Sequence, residues 1–203
     1  MSLNMEEIHR DDLASKTGMW LFLFTEMLLF GGLFVVYSVY RYRNPEAFHL
    51  AARELSVFIG TVNTIILLIS SSTIAMSITA LQLRNKKLCL ILLGVTVFLG
   101  LMFLVNKYFE WGDHFREHIY PGSPVLALRG QGDVLFYGLY FFMTGLHALH
   151  IIVGLAFIGF IVVFIVREKV TSDNFVLLEN SGLYWHLVDL IWIFLFPLFY
   201  LIT

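Results

Sequence analysis

The chain has 203 residues, of which 59% are hydrophobic and 14% charged, with a formal net charge of −2 and 20 Phe, 9 Tyr and 4 Trp. Soluble domains are about 45 to 50% apolar and about 25% charged, so this composition excludes a water-soluble globular domain and indicates an integral membrane protein. The near-balanced charge offers nucleic acid no footing, and the single cysteine, Cys89, excludes an intramolecular disulfide and any CxxC metal knuckle.

Residues 1–16, MSLNMEEIHRDDLASK, carry four acids against two bases. They lack the basic start and small-residue cleavage site of a signal peptide, so they read as a polar tail before a retained first helix. Apolar stretches long enough to cross a bilayer, at least about 18 residues, follow at 17–40, 56–83, 88–110, 134–166 and 181–202. The predicted fold is therefore all-α: one domain, 17–203, forming a bundle of five transmembrane helices. RNKK at 84–87 reads as a tight turn, and 111–133 as a long loop interrupted by YPGSP.

Orientation follows from the basic residues near the helix ends. Arg10, Lys16, Arg84, Lys86, Lys87, Arg167 and Lys169 fall on one side against six on the other, and three of those seven crowd into the 84–87 turn. This density predicts a cytoplasmic amino terminus and a carboxyl terminus outside. Trp20, Tyr184 and Trp185 then belong to the inner interface, and Tyr37, Tyr40, Tyr108, Trp111 and Tyr200 to the outer one.

Helix two repeats a small polar residue every seven positions, Ser56, Asn63, Ser70 and Ser77, with Gly60 and Thr73 on the same side. Such stripes let helices approach and hydrogen bond, so this reads as a packing face, and Gly18, Thr25 and Gly32 read as a similar one on helix one. Ionisable residues within a span are costly and normally face protein or water. The candidates are Glu26 in helix one, the i,i+3 pair His147/His150 in TGLHALHIIVG, and the i,i+3 pair His186/Asp189 in the last span. A carboxyl at the depth of Glu26 is expected to be protonated by desolvation or paired to an imidazole, with His150 its expected partner over His147. His186 and Asp189 read either as a buried polar pair that fixes helix register or as part of a functional path. Lys107 and Glu110, three apart near the end of helix three, are expected to snorkel to the interface. A lone HxxH without a carboxylate helper is a weak metal signal.

In order, these segments resemble subunit III of the haem-copper respiratory oxidases. KTGMWLFLFTEMLLFGGLF, with Glu26, is similar to the family's first conserved helix, and NTIILLISSSTIAMS to the next. FEWGDH carries Glu110. Thr144, Gly145, His147, His150 and Gly154 match a TGxHxxHxxxG signature, and Glu179, Tyr184, Trp185, His186, Asp189 and Trp192 match a closing E…YWHxVDxxW segment. The resemblance implies a subunit with no catalytic residue, metal or cofactor of its own, packed beside catalytic subunit I, which holds the haems and copper. It further implies support of proton uptake into that subunit, association with other oxidase subunits, bound phospholipid, and a place in a bacterial cytoplasmic membrane. Long members of the family have seven helices, with lipid in a cleft between the first two and the last five; this chain matches only the last five.

Three other readings remain at this point. A five-helix accessory protein of nitric oxide reductase systems has similar motifs. A membrane cytochrome would use His147 or His150 with His186 as axial haem ligands. A proton-coupled transporter would explain membrane carboxylates, although no inverted repeat or paired broken helices are visible.

Overall fold

The computed structural model describes residues 2–202 and, for side-chain surroundings, 13–202. Most of the expected 1–16 tail therefore lies outside the residues whose side chains are described. Seven helices occur among the described residues: α1 Ser2–Arg43, α2 Pro45–Arg53, α3 Val57–Gln82, α4 Lys86–Arg116, α5 Pro124–Arg129, α6 Gln131–Val166 and α7 Val176–Tyr200. Five of them, α1, α3, α4, α6 and α7, are long and apolar enough to span a membrane. The predicted five-span, all-α architecture is what is found.

The sequence dictates a bundle through a seven-residue repeat. Buried positions alternate at three and four residues: Gly60, Asn63, Leu67, Ser70, Ile74, Ser77 and Leu81 on α3, and Cys89, Leu93, Thr96, Gly100, Phe103, Lys107, Glu110 and His114 on α4. α6 continues the rule from Tyr137 through Tyr140, Thr144, His147, Ile151, Gly154 and Ile158. α7 does so from Leu178 through Ser181, Trp185, Val188, Trp192 and Leu195 to Phe199. A 3.5-residue average keeps one seam facing the partner helices and produces the shallow crossings of a helical bundle. The four helices close a ring, α3 on α4, α4 on α6, α6 on α7 and α7 on α3. α1 lies outside it, against α6 and α7, and among the described residues its backbone makes no close approach to α3.

Close approach in the ring depends on glycine opposite tryptophan. A Cβ at Gly100 would lie 2.9 Å from Trp185 Cη2, and one at Gly154 would lie 2.9 Å from Trp185 Cε3. The indole is thus slotted between α4 and α6, and its Nε1 donates to Ser70 Oγ on α3 at 3.0 Å. One side chain of α7 fixes the spacing of the other three ring helices.

The end of the bundle carrying the 84–87 turn is termed the near end, and the opposite end the far end. α2 closes the far end by burying Phe48, Ala51 and Ala52, with Phe48 against Tyr37 and Phe136 at 5.5 and 5.4 Å. α5 lies within the stretch expected to be loop, and α4 runs to Arg116, past the expected end at 110. Both short helices start with proline in the first turn, where its missing N–H costs nothing. The far-end segments are tied by Glu54, which accepts from Arg129 Nη1 at 2.8 Å and from Tyr137 Oη at 2.6 Å.

Two packing expectations need correction. Ser56 is exposed and accepts from the Ile59 N–H as the N-cap of α3, so it leaves the buried stripe that Asn63, Ser70 and Ser77 do form. Gly18, Thr25 and Gly32 face away from the bundle; α1 instead buries Leu23, Phe30 and Tyr37, again seven apart. The bulky apolar stripe wins because α1 packs on a rim of large side chains from α6 and α7, where small residues would leave voids.

Candidate functional site

Glu26 lies on the inward stripe of α1, between Leu23 and Phe30. Its Oε2 is 2.9 Å from His150 Nε2 on α6, as the sequence led us to expect of these two residues. The other imidazole nitrogen, Nδ1, is 2.8 Å from the Leu146 carbonyl oxygen. A carbonyl only accepts, so Nδ1 carries a hydrogen. The Nε2–Oε2 contact then holds one proton: an imidazolium donates to a carboxylate, or a carboxylic acid donates to a neutral imidazole. The two alternatives raised for Glu26, protonated or imidazole-paired, are thus two positions of one proton. Either leaves the pair neutral overall, the form an apolar medium tolerates.

Aromatic side chains lie beside the pair. The Phe30 ring meets the His150 ring edge-on at 5.4 Å, Phe22 stacks on Tyr184 at 6.0 Å, and Tyr184 Oη donates to the His150 carbonyl at 3.0 Å. Both side chains keep some exposure, 15% for Glu26 and 13% for His150. The shared proton therefore sits at the rim of the bundle.

Lys107 and Glu110 depart from expectation. They do not snorkel: their exposures are 3% and 5%. Lys107 Nζ donates to Glu110 Oε2 at 3.2 Å, to Tyr200 Oη at 2.6 Å and to Tyr140 Oη at 3.3 Å. Tyr140 Oη donates to Glu110 Oε1 at 2.6 Å, and Tyr200 Oη donates to the same oxygen. All three ammonium hydrogens and both phenolic hydrogens are used, and the charges cancel. Burial is tolerable because the network is complete, which removes the reason to reach for the interface.

The remaining candidates are dispersed. His147 is fully buried, stacks on Trp192 at 5.2 Å and meets Phe103 edge-on at 5.6 Å, and neither ring nitrogen has a partner among the described residues. The i,i+3 histidines thus point to different neighbours, His147 into the ring and His150 out to α1. His186 Nδ1 is 2.6 Å from Ser71 Oγ on α3, and Asp189 is 5% exposed with Oδ1 unpartnered. His186 and Asp189 make no bond to each other among the described residues; α3 intervenes instead. Glu179 pairs with Lys16 at 2.9 Å at the near end. His147, His150 and His186 are not brought together as axial ligands would be. Among the described residues no group of three His, Cys, Asp or Glu side chains could hold a metal ion.

Sequence reasoning placed Tyr200 at the interface and passed over Tyr140 and Ser71. The signal for the first two was the α4 stripe. Lys107 and Glu110 continue the three-four spacing of Thr96, Gly100 and Phe103, so they had to face the ring, and whatever met them there had to be polar. Nothing comparable marks Ser71, one of three consecutive serines.

The family profile described as Cytochrome c oxidase subunit III matches residues 9–203. A probable quinol oxidase subunit 3 of Staphylococcus saprophyticus is 29% identical over 188 residues, covering 93% of this chain and 89% of that one. A cytochrome c oxidase subunit 3 of Alkalihalophilus pseudofirmus is 30% identical over 187 residues, covering 91% and 84%. A heme-copper oxidase subunit I+III of Aeropyrum pernix is 29% identical over 195 residues, 92% of this chain and 22% of that protein. These names favour an oxidase over a nitric oxide reductase accessory or a membrane cytochrome. The chain belongs to the cytochrome c oxidase subunit III family, the non-catalytic third subunit of haem-copper oxidases.

Proposed function

We propose that this subunit sits beside catalytic subunit I and supports its proton uptake through the Glu26–His150 pair. The observation that carries the reading is the 2.9 Å contact between Glu26 Oε2 and His150 Nε2, with Nδ1 anchored on the Leu146 carbonyl. A proton in such a contact moves between donor and acceptor without creating net charge in the membrane, and the pair's partial exposure leaves it open to exchange with a neighbour. Glu110, His147, Glu179, His186 and Asp189 then hold the scaffold. The haems and copper belong to subunit I, and this chain carries none. The basic near end is assigned to the cytoplasm, which puts the carboxyl terminus outside a bacterial cytoplasmic membrane. An apolar groove of about 380 Å³ between α1, α6 and α7, lined by Met19, Phe157, Phe160, Phe164 and Tyr184 among others, is assigned to a phospholipid acyl chain.

An apolar carbodiimide tests the pair. Glu26 should be labelled in preference to surface acids, which are ionised and hydrated, and Glu26→Gln should abolish the label while the oxidase still assembles. Proton uptake or turnover lifetime of the Glu26→Gln complex should fall. Labelling elsewhere, or unchanged pumping and lifetime, would reduce Glu26 to an anchor between α1 and α6.

A further inference from the structure

α1 is held to the bundle by α7 at three levels. Phe22 stacks on Tyr184 with ring centroids 6.0 Å apart, Phe34 meets Phe194 at 6.0 Å, and Tyr37 Oη donates to the Leu198 carbonyl. The helix that carries Glu26 therefore takes its place from α7, while the imidazole it meets belongs to α6. Their contact is 2.9 Å long, and a heavy-atom separation of about 3.6 Å is no longer a hydrogen bond, so the two helices must agree to a fraction of an ångström.

Tyr184 touches both sides of that contact. On α1 its ring lies against Phe22, one turn before Glu26. On α6 its Oη donates to the carbonyl of His150 itself at 3.0 Å, and its ring meets Phe157 edge-on at 5.8 Å. An interior helical carbonyl already accepts from the N–H four residues on, and its second lone pair is open to the phenol. The ring comes this close because residue 154 is glycine: a Cβ there would lie 3.0 Å from Tyr184 Cε1. Gly154, the last residue of TGLHALHIIVG, thus admits the phenol to the turn that carries His150.

Ring packing alone does not call for the hydroxyl, since phenylalanine would fill the same space. What the hydroxyl adds is a bond to the backbone of the residue whose side chain meets Glu26. We propose that Tyr184 is a positioning residue for the Glu26–His150 pair: from α7 its hydroxyl holds the His150 turn of α6, while its ring backs the Phe22 turn of α1, and so sets the separation of Nε2 and Oε2. The use made of the pair rests on the functional reading above; the geometry does not.

The test treats the assembled oxidase in native membranes with an apolar carbodiimide and follows the initial rate of labelling at Glu26 by peptide mapping. A carboxyl oxygen held by an imidazole is less available to the reagent, so loosening the contact should speed the reaction. Tyr184→Phe keeps the ring and removes the bond to His150; the rate should rise about two- to tenfold, the range that one neutral hydrogen bond allows. Phe24→Leu, at a site 60% exposed on the same helix as Glu26, should leave the rate at the parent value. The deciding comparison uses His150→Ala, which leaves no side chain to reach Glu26. If Tyr184 acts through His150, adding Tyr184→Phe to His150→Ala changes the rate no further, whereas a phenol that only supports the bundle gives effects that multiply. An unchanged rate in Tyr184→Phe, an equal rise in Phe24→Leu, or effects that multiply would overturn the assignment. If the rates couple through His150 while proton uptake of the Glu26→Gln complex stays normal, Tyr184 positions the pair and it is the functional reading that fails.

Discussion

The Lys107 cluster and the Glu26–His150 pair are both charged groupings inside a membrane bundle, yet they solve the problem in opposite ways. In the cluster, one cation, one anion and two phenols use every available hydrogen, and no member is more than 5% exposed. In the pair, one proton serves two heavy atoms, and both partners keep an edge on the rim. A closed network has no donor or acceptor left to pass a proton onward. An open pair has one that can move. The comparison assigns holding to the first and exchange to the second, and it can be broken at either side.

The largest effect is expected from Glu110→Ala. It strands the Lys107 ammonium in an apolar interior, at a cost of about 3 to 5 kcal/mol. Thermal unfolding in detergent should show a large loss, or the chain should fail to accumulate. The double variant Lys107→Met with Glu110→Met should recover part of it, because the uncompensated charge is gone while the Tyr140 and Tyr200 hydroxyls lose their shared acceptor and keep only each other at 3.4 Å. A double variant as unstable as the single one would mean that the cluster does more than satisfy itself.

Tyr200→Phe removes one hydroxyl that both accepts from Lys107 and donates to Glu110, so a loss of about 1 to 3 kcal/mol is expected by the same measurement. A loss near zero would show that the cluster has slack and is less closed than its geometry. His150→Gln should cost the least, about 1 kcal/mol or below, because the site is at the rim and glutamine can still meet Glu26. Its signature lies elsewhere: without an imidazole to share the proton, Glu26 should become more reactive toward carbodiimide, read by peptide mapping. Stability loss as large as that of Glu110→Ala would erase the distinction between the two regions.

Much of this was legible before any coordinates. Five spans emerge from hydropathy because a helix must satisfy its own backbone in lipid, a constraint local in sequence. Glu26 with His150 was legible because an isolated membrane carboxyl needs a partner and few candidates exist. The fate of Lys107 was not, because snorkelling and burial are both open to a lysine near a helix end, and the choice depends on phenols 33 and 93 residues away. The face of α1 was misread for a related reason. Small-residue stripes and bulky stripes both mark packing faces, and which is used depends on the surface of α6 and α7. Ser71 became visible only with the fold, since no periodicity distinguishes it from its neighbours.

The peripheral position of α1 has a bearing on synthesis. Glu26 and His150 are 124 residues apart in the chain. At about 5 to 20 residues per second, α6 emerges roughly 6 to 25 s after Glu26. During that interval the first helix stands in lipid as a lone span, with no imidazole to share the carboxyl's proton, and ionised it would bear the full cost of a charge in hydrocarbon. Glu26 therefore enters the bilayer without the imidazole that later meets it, and α1 completes its contact with the bundle only once His150 arrives. Lys107 and Glu110, on adjacent turns of one helix, enter together and never face that wait.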